Sequence, residues 1–505
     1  MSLYTELLLA SSASLYRMAT AYILSVILSL ILGSAMARNK IIESILLPVL
    51  DILQSIPILG FFPAALLLFV TYLPERIGLE LASIFLIITS LVWNMIFGVY
   101  SSVKSLDPAY EDLARVYGFG HAARFFFIYT PASRRSLIAN SLVSWAGGWF
   151  FLTSAEVVSL GNAAYKLVGL GSFTIEHFNS GDMFGFSLGV ATLLTLIILT
   201  YMTLWNPAAA TTLGLPLPGV VSFYEKVHEL VAVIWRALTG VCLTVEKKIS
   251  PMRGFLSILV KAILGILVAL VLIQLGEAAV TLNIPEIMAK TIPVFQEIPL
   301  TLARIASIVM FSFTLSLFIA YFSYKSLIIG KSMSIIGEAL ASLPAIVWWP
   351  LLSTIALKYS FGPYLVSAIV FLQGSFWYLY FNVLVYGLAS IKREFEELSS
   401  VYRIRGFSFF RYVFIPSLLP SVATGALSAW GGAWNASVVA EYVSIENKVI
   451  DLGGVGALLN KLTINGDATG LVLSAVALSL VIVLINKTFW SRVFNYLEGK
   501  YGGEE

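Results

Sequence analysis

Two carboxylates stand where few are tolerated. Glu156 and Glu441 each close a long apolar run, 25 residues after Pro131 and Pro416 respectively. A carboxylate near membrane depth is costly and faces a cavity or a partner. The pair therefore offers two chemistries: walls or gates of a polar pathway, or structural ion pairs. Arg17 and Arg304 lie near the ends of matching apolar runs. They could draw an anion into such a pathway, or snorkel to headgroups. Gly169-Leu170-Gly171 and Gly454-Val455-Gly456 follow the two carboxylates, either as close-approach points at a gate or as plain turns. Gly330-Lys331-Ser332 resembles the end of a phosphate-binding loop, but Lys325 stands where that loop needs glycine and an apolar run precedes it instead of a strand. The chain is thus expected to have no nucleotide site and no enzymatic activity, and to bind no cofactor. His121, His177 and His228 are scattered and make no metal-ligand spacing. Cys242 is the single cysteine and excludes an internal disulfide framework.

The elements that must hold these residues are membrane helices. Of 505 residues, 59% are hydrophobic and 12% charged, against about 25% charged in a soluble domain. Apolar runs near 20 residues then imply an all-α, polytopic membrane protein. Spans are expected near 12–36, 47–72, 78–103, 132–155 and 183–205, and again near 254–275, 300–322, 335–357, 361–387, 417–440 and 467–487. The N-terminus lacks a basic region before its first apolar run, so no cleavable signal peptide is expected. The net charge of +3 says little by itself, and no nucleic-acid partner is expected.

The chain repeats itself. Arg17 matches Arg304, Pro57 matches Pro344 and Pro63 matches Pro350 at an offset of 287. Trp145, Trp149, Glu156, Gly169, Gly171 and Asp182 match Trp430, Trp434, Glu441, Gly454, Gly456 and Asp467 at 285. Two like halves in one orientation pack about an axis along the membrane normal and leave a pathway between them. The expected divisions are a first repeat at 1–205, a linker at 206–253 and a second repeat at 254–505. The linker piece near 223–245 mixes Glu225, Lys226, Glu229 and Arg236 with aliphatics and reads as an interfacial amphipathic helix. The Trp145–Trp149 and Trp430–Trp434 segments enclose small residues, which read as tight packing where the halves meet.

Each half carries one charged island, 107–131 and 392–416. In the first, Asp107-Pro108 starts a short helix as N-cap and first-turn proline. Ala109, Leu113, Val116 and Tyr117 share one face, and Phe395, Leu398, Val401 and Tyr402 make the matching stripe. An exposed apolar stripe on a short helix suits a groove in a partner. The loops richer in Lys and Arg include both islands, so both face the cytoplasm, with the C-terminus there and the N-terminus outside.

These islands resemble the Glu-Ala-Ala loop of permease subunits of ATP-binding-cassette importers, with glycine at its seventh position and proline at its twentieth. Asp112-Leu113-Ala114 and Gly118 match it in the first copy, and Glu397-Leu398-Ser399 in the second, where Arg403 replaces the glycine. The departure puts the second turn in question and makes the loops non-equivalent. The resemblance implies that these eight residues couple the chain to two ATPase subunits, which bind ATP and magnesium. It also implies an extracellular or periplasmic solute-binding protein and a location in the cell membrane. The Ala-Glu and Gly-x-Gly pattern is most similar to the nitrate, sulfonate, taurine and bicarbonate branch, which implies a small anion as solute. Two alternatives are the iron and thiamine branch, and an ion-driven carrier in which Glu156 and Glu441 titrate.

Overall fold

The computed structural model describes residues 2–55, 58–160, 163–213, 221–249, 284–341, 348–388, 391, 393–445, 448–493 and 496–497. Pro57, Pro344, Lys392 and the expected span at 254–275 lie outside them.

The first half comprises α1 (Leu3–Arg38), α2 (Lys40–Ser55), α3 (Ile58–Tyr72), α4 (Glu75–Lys104), α5 (Pro108–Val116), α6 (His121–Arg124) and α7 (Thr130–Glu156). A hairpin of β1 (Val157–Leu160) and β2 (Ala163–Lys166) follows, then α8 (Leu170–Asn179), α9 (Met183–Thr200) and α10 (Asn206–Leu213). The linker holds α11 (Val221–Ile249). The second half repeats the series as α12 (Ile284–Lys325), α13 (Leu327–Ala341), α14 (Trp349–Lys358), α15 (Gly362–Phe381), α16 (Arg393–Val401), α17 (Phe407–Phe409) and α18 (Ile415–Ala440). It closes with β3 (Tyr442–Ile445), β4 (Lys448–Asp451), α19 (Val455–Ile464) and α20 (Ala468–Ile485).

Eight helices among the described residues are long and apolar enough to cross a membrane. Serine hydroxyls inside them bond back to their own helix, as Ser25 to the Ala21 carbonyl and Ser29 to that of Ser25, so little polar surface meets hydrocarbon. The chain is an all-α polytopic membrane protein, with two hairpins of four-residue strands as the β-structure among its described residues. The run expected at 47–72 carries α2 up to Ser55 and α3 from Ile58, and that at 335–357 carries α13 up to Ala341 and α14 from Trp349; residues 56–57 and 342–347 lie outside the described ones. The helix at 130–156 forms as expected.

Five-residue π-helical turns recur in both halves, Phe125–Tyr129 with Phe410–Phe414 and Tyr201–Trp205 with Asn486–Trp490. Each half has its own tryptophan core. Trp145 meets Trp149 edge-on at 6.2 Å, and Trp205 tilted at 5.4 Å. Trp430 meets Trp434 at 6.3 Å and Trp490 at 6.0 Å. Of the small residues between the tryptophans, Gly148 and Gly432 pack against helices of their own half. A Cβ at Gly148 would meet Met18 and Leu91, and one at Gly432 would sit 2.1 Å from the Gly374 carbonyl oxygen.

The halves are joined reciprocally. α2 and α3 pack on α20, α3 also meets α18 and α19, and α13 packs on α7 and α9. The two charged islands lie on one side of the helical body, hereafter the loop side, and the two hairpins on the other.

Candidate functional site

Between the halves lies a cavity of about 190 Å³. Its wall takes Gln54, Thr89, Ser90, Trp93 and Asn94 from the first half, and Gln373, Tyr378, Ser428, Asn435 and Asn486 from the second. No Asp, Glu, Lys, Arg or His lines it among the described residues. The Ile58 N–H donates to the Asn435 side-chain oxygen across the boundary between halves. The Gln373 amide donates to the Leu340 carbonyl at 2.9 Å and accepts from Trp377 Nε1 at 3.0 Å. The Nε1 atoms of two wall residues, Trp93 and Trp430, are buried with no hydrogen-bond partner among the described residues. The cavity is uneven: Phe150 and Phe151 occupy the positions that Asn435 and Ala436 hold in the other half. Amides, an indole and a phenol can ligate a small anion or a neutral solute through N–H and O–H donors, with no fixed charge to retain it.

Sequence reasoning missed these residues. Their signal was visible: Gln54, Asn94, Gln373, Asn435 and Asn486 are amides inside apolar runs, the kind of residue that marks a cavity at membrane depth. The tryptophan segments, read as packing, also supply wall: Ala146, Gly147, Trp430, Gly431 and Gly432 line the cavity.

The eight residues weighed as pathway or gate do not line it. They form two buried clusters at the hairpin ends. Glu156 accepts from Ser14 Oγ at 2.6 Å, Arg17 Nη1 at 2.9 Å and the Gly171 N–H at 2.7 Å. Glu441 accepts from Thr301 Oγ1 at 2.8 Å, Arg304 Nη1 at 2.7 Å and the Gly456 N–H at 2.8 Å. Ser14 and Thr301 in turn accept from the N–H of Leu170 and of Val455, both at 2.8 Å. Gly169 and Gly454 are required there, because a Cβ at either would lie within 2.4 Å of the carboxylate carbon. Each cluster pins a hairpin and the helix after it to α1 or α12. Such a pair is a rigid clamp only while both partners and their hydrogen bonds remain.

The clusters differ in charge. Arg17 also grips Glu80 with two bonds of 2.7 Å. In the register that matches Gly78, Ser83 and Trp93 to Gly362, Ser367 and Trp377, Tyr364 stands at the position equivalent to Glu80, and Arg304 bonds the carbonyls of Leu452 and Gly453 at 2.6 and 2.8 Å where Arg17 bonds that of Val168 at 2.8 Å. Asp182 and Asp467, matched in sequence, are the N-caps of α9 and α20. Asp467 also binds Lys290 at 2.7 Å, and that bond holds its carboxyl below the usual carboxylate range.

On the loop side, Asp107 caps α5 by accepting from the Ala109 N–H at 2.8 Å. Leu113, Val116 and Tyr117 project outward, as do Leu398, Val401 and Tyr402. Val116 and Val401 are 82% and 74% exposed, so both stripes are free surfaces. Ala114 and Ser399 face inward and are buried. Asp112 pairs with Arg115 at 3.3 Å on the exposed side.

The turn after each short helix is the same. The Phe119 N–H bonds the Ala114 carbonyl and the Ile404 N–H that of Ser399, both at 2.8 Å. Gly118 has φ +64° and Arg403 has φ +53°. Arg403 therefore takes the left-handed conformation that glycine takes in the first copy, at a cost of about 1–2 kcal/mol. The loops differ in what holds them. Glu111 fastens the first to Arg38 at 3.4 Å, Arg124 at 3.2 Å and Tyr129 Oη at 2.7 Å. Phe409 and Phe414 replace Arg124 and Tyr129 in the second and pack on Tyr324 and Tyr321 at 5.7 and 5.4 Å. Gly330-Lys331-Ser332 lies inside helix α13.

A family model described as the binding-protein-dependent transport system inner membrane component matches the chain twice, at 25–206 and 312–493. The nitrate import permease protein NrtB of Leptolyngbya laminosa is 25% identical over 171 residues, covering 34% of this chain and 57% of the relative. The bicarbonate transport system permease protein CmpB of Synechococcus elongatus is 25% identical over 166 residues, covering 33% of this chain and 55% of the relative. The match thus spans about half the length of these curated relatives.

Proposed function

Because the chain belongs to the family of inner membrane components of binding-protein-dependent transport systems, present here as two tandem copies, we propose that it supplies both permease halves of an ATP-binding-cassette importer for a small anion. The observation that carries this reading is the pair of loop helices, each showing an apolar stripe to one side of the body. Each stripe fits the groove of one ATPase subunit. ATP and magnesium belong to those partners, and the solute arrives from a binding protein on the hairpin side. The loop side is then cytoplasmic. α1 starts at the hairpin side, which supports an external N-terminus, and α20 runs back from that side, which supports a cytoplasmic C-terminus.

In this reading the cavity between the halves is the waypoint of the solute. ATP binding draws the loops together and rocks one half against the other, and it can do so only by favouring one arrangement. The ion clusters keep each hairpin and its following helix fixed to α1 or α12, so each half moves as a body. Their arginines act as internal partners of carboxylates, and the anion meets neutral donors instead. Nitrate and bicarbonate, named for the relatives NrtB and CmpB, are small anions of the proposed class. An ion-driven carrier finds less support, because both candidate carboxylates are already paired with arginine.

The test is Gly118→Glu. A Cβ at Gly118 has no atom within 4 Å, so the new side chain points outward at the docking stripe. Membrane insertion should be intact and stimulation of the co-purified ATPase should vanish. Persisting transport would overturn the role of the first loop, and a chain that transports with no ATPase partner would overturn the whole reading.

A further inference from the structure

α11 belongs to neither family copy, since the matches end at 206 and resume at 312. It is apolar enough to cross a membrane, yet three contacts tie it to the loop side. Near its start, Tyr224 meets Thr211 of α10, at the loop-side end of the run that begins with α9. At its middle, Trp235 packs on Phe126 at 4.8 Å and joins the loop-side ends of α1 and α4, at Ala37 and Val103. Near its end, Glu246 accepts from the Ala122 N–H at 3.2 Å. From Tyr224 to Glu246 a helix runs about 33 Å, the thickness of the hydrocarbon core. A spanning helix could not have both ends on one side.

At 100° per residue α11 has three edges. Trp235, Thr239 and Glu246 face the body. Leu230, Ile234, Leu238, Val241 and Val245 form an apolar edge, all 45–61% exposed. Glu225, Glu229 and Arg236 form a charged edge roughly opposite it. This is the arrangement of a helix lying in a bilayer surface, with one edge in the acyl boundary and the other in water. The body-facing edge sits where two spans leave the membrane, so the apolar edge is continuous with the lipid-facing surface.

We propose that α11 lies in the loop-side lipid interface and braces the first loop, and only that loop, against the membrane. Lipid is the partner of the apolar edge, and Trp235 and Glu246 carry the brace to residues 119–126. The proposal does not depend on what the chain transports.

The test uses the full chain in nanodiscs of phosphatidylcholine and phosphatidylglycerol, in a Cys242→Ser background. Nitroxides are placed singly through Glu229→Cys, Ile234→Cys, Arg236→Cys, Leu238→Cys, Val241→Cys and Val245→Cys. These positions are solvent-exposed or partly so, and their labelling leaves the packed face intact. Positions 234, 238, 241 and 245 should share one shallow depth and relax with oxygen, whereas 229 and 236 should relax with a water-soluble nickel chelate. A depth that rises to a maximum near 238 and falls toward 245 means a span and overturns the proposal. An apolar edge reached by neither agent means a protein partner and overturns it equally. For the brace, Trp235→Ala with Glu246→Gln should speed hydrogen exchange at 119–126 roughly tenfold while leaving 404–411 unchanged. Equal change in both loops, or none, overturns that half.

Discussion

Neutralising the two buried glutamates should have unequal costs. Both Glu156→Gln and Glu441→Gln keep the side-chain shape and remove one charge. In the first half Arg17 still holds Glu80 through two bonds of 2.7 Å, so its charge remains compensated. The loss is the weakening of three charge-assisted bonds, which places the cost at about 1–3 kcal/mol. In the second half the amide oxygen would still accept from Arg304, but the other bonds of Arg304 go to the carbonyls of Leu452 and Gly453, and no second carboxylate bonds it among the described residues. A partly buried cation without a counter-charge costs about 3–5 kcal/mol. Thermal unfolding of the detergent-solubilised chain, followed by tryptophan emission from the two cores, should therefore show the larger drop for Glu441→Gln. A paired change, Arg304→Met with Glu441→Leu, should recover much of that drop, because replacing both partners removes the orphaned charge. Equal losses in the two single variants would refute the role assigned to Glu80. A paired variant no better than Glu441→Gln would refute the orphan-charge argument itself.

Three further outcomes follow from the geometry. Arg403→Gly should slow hydrogen exchange at 398–405, the loop gaining about 1 kcal/mol as the left-handed strain is relieved, less the added freedom of the unfolded glycine. Gly454→Ala should unfold the second half at lower denaturant concentration than Gly169→Ala does the first. Both place a Cβ against a buried carboxylate, but Gly454 also has φ +103° whereas Gly169 is extended. The Lys290 bond lowers the Asp467 carboxyl below its ordinary 3.8, so the stability it contributes is present above that value and lost as pH falls through the lower folded value. Asp467→Asn should accordingly flatten the stability profile below about pH 4 and leave it unchanged in shape near neutrality.

Much of the architecture was written in local pattern. Apolar runs of membrane length determine helices, because a backbone in hydrocarbon must satisfy itself. The repeat could be read from single residues, and the matched pairs Arg17 and Arg304, Glu156 and Glu441 do occupy equivalent places. Even the arginine at 403 was legible as a departure. What only the fold could decide was how that departure is absorbed: the turn keeps its glycine-like shape, and Phe409 and Phe414 pack on tyrosines where Arg124 and Tyr129 bond Glu111 in the first loop. The offset changes from 287 to 285 between the helices that carry Arg17 and Glu156, and partners so far apart in sequence leave no periodic trace of their pairing. Glu80 has no mate in the other half, so no repeat could point to it. The cavity was legible only in part: amides inside apolar runs mark its wall residues one by one, but they become a site only when two halves bring them face to face.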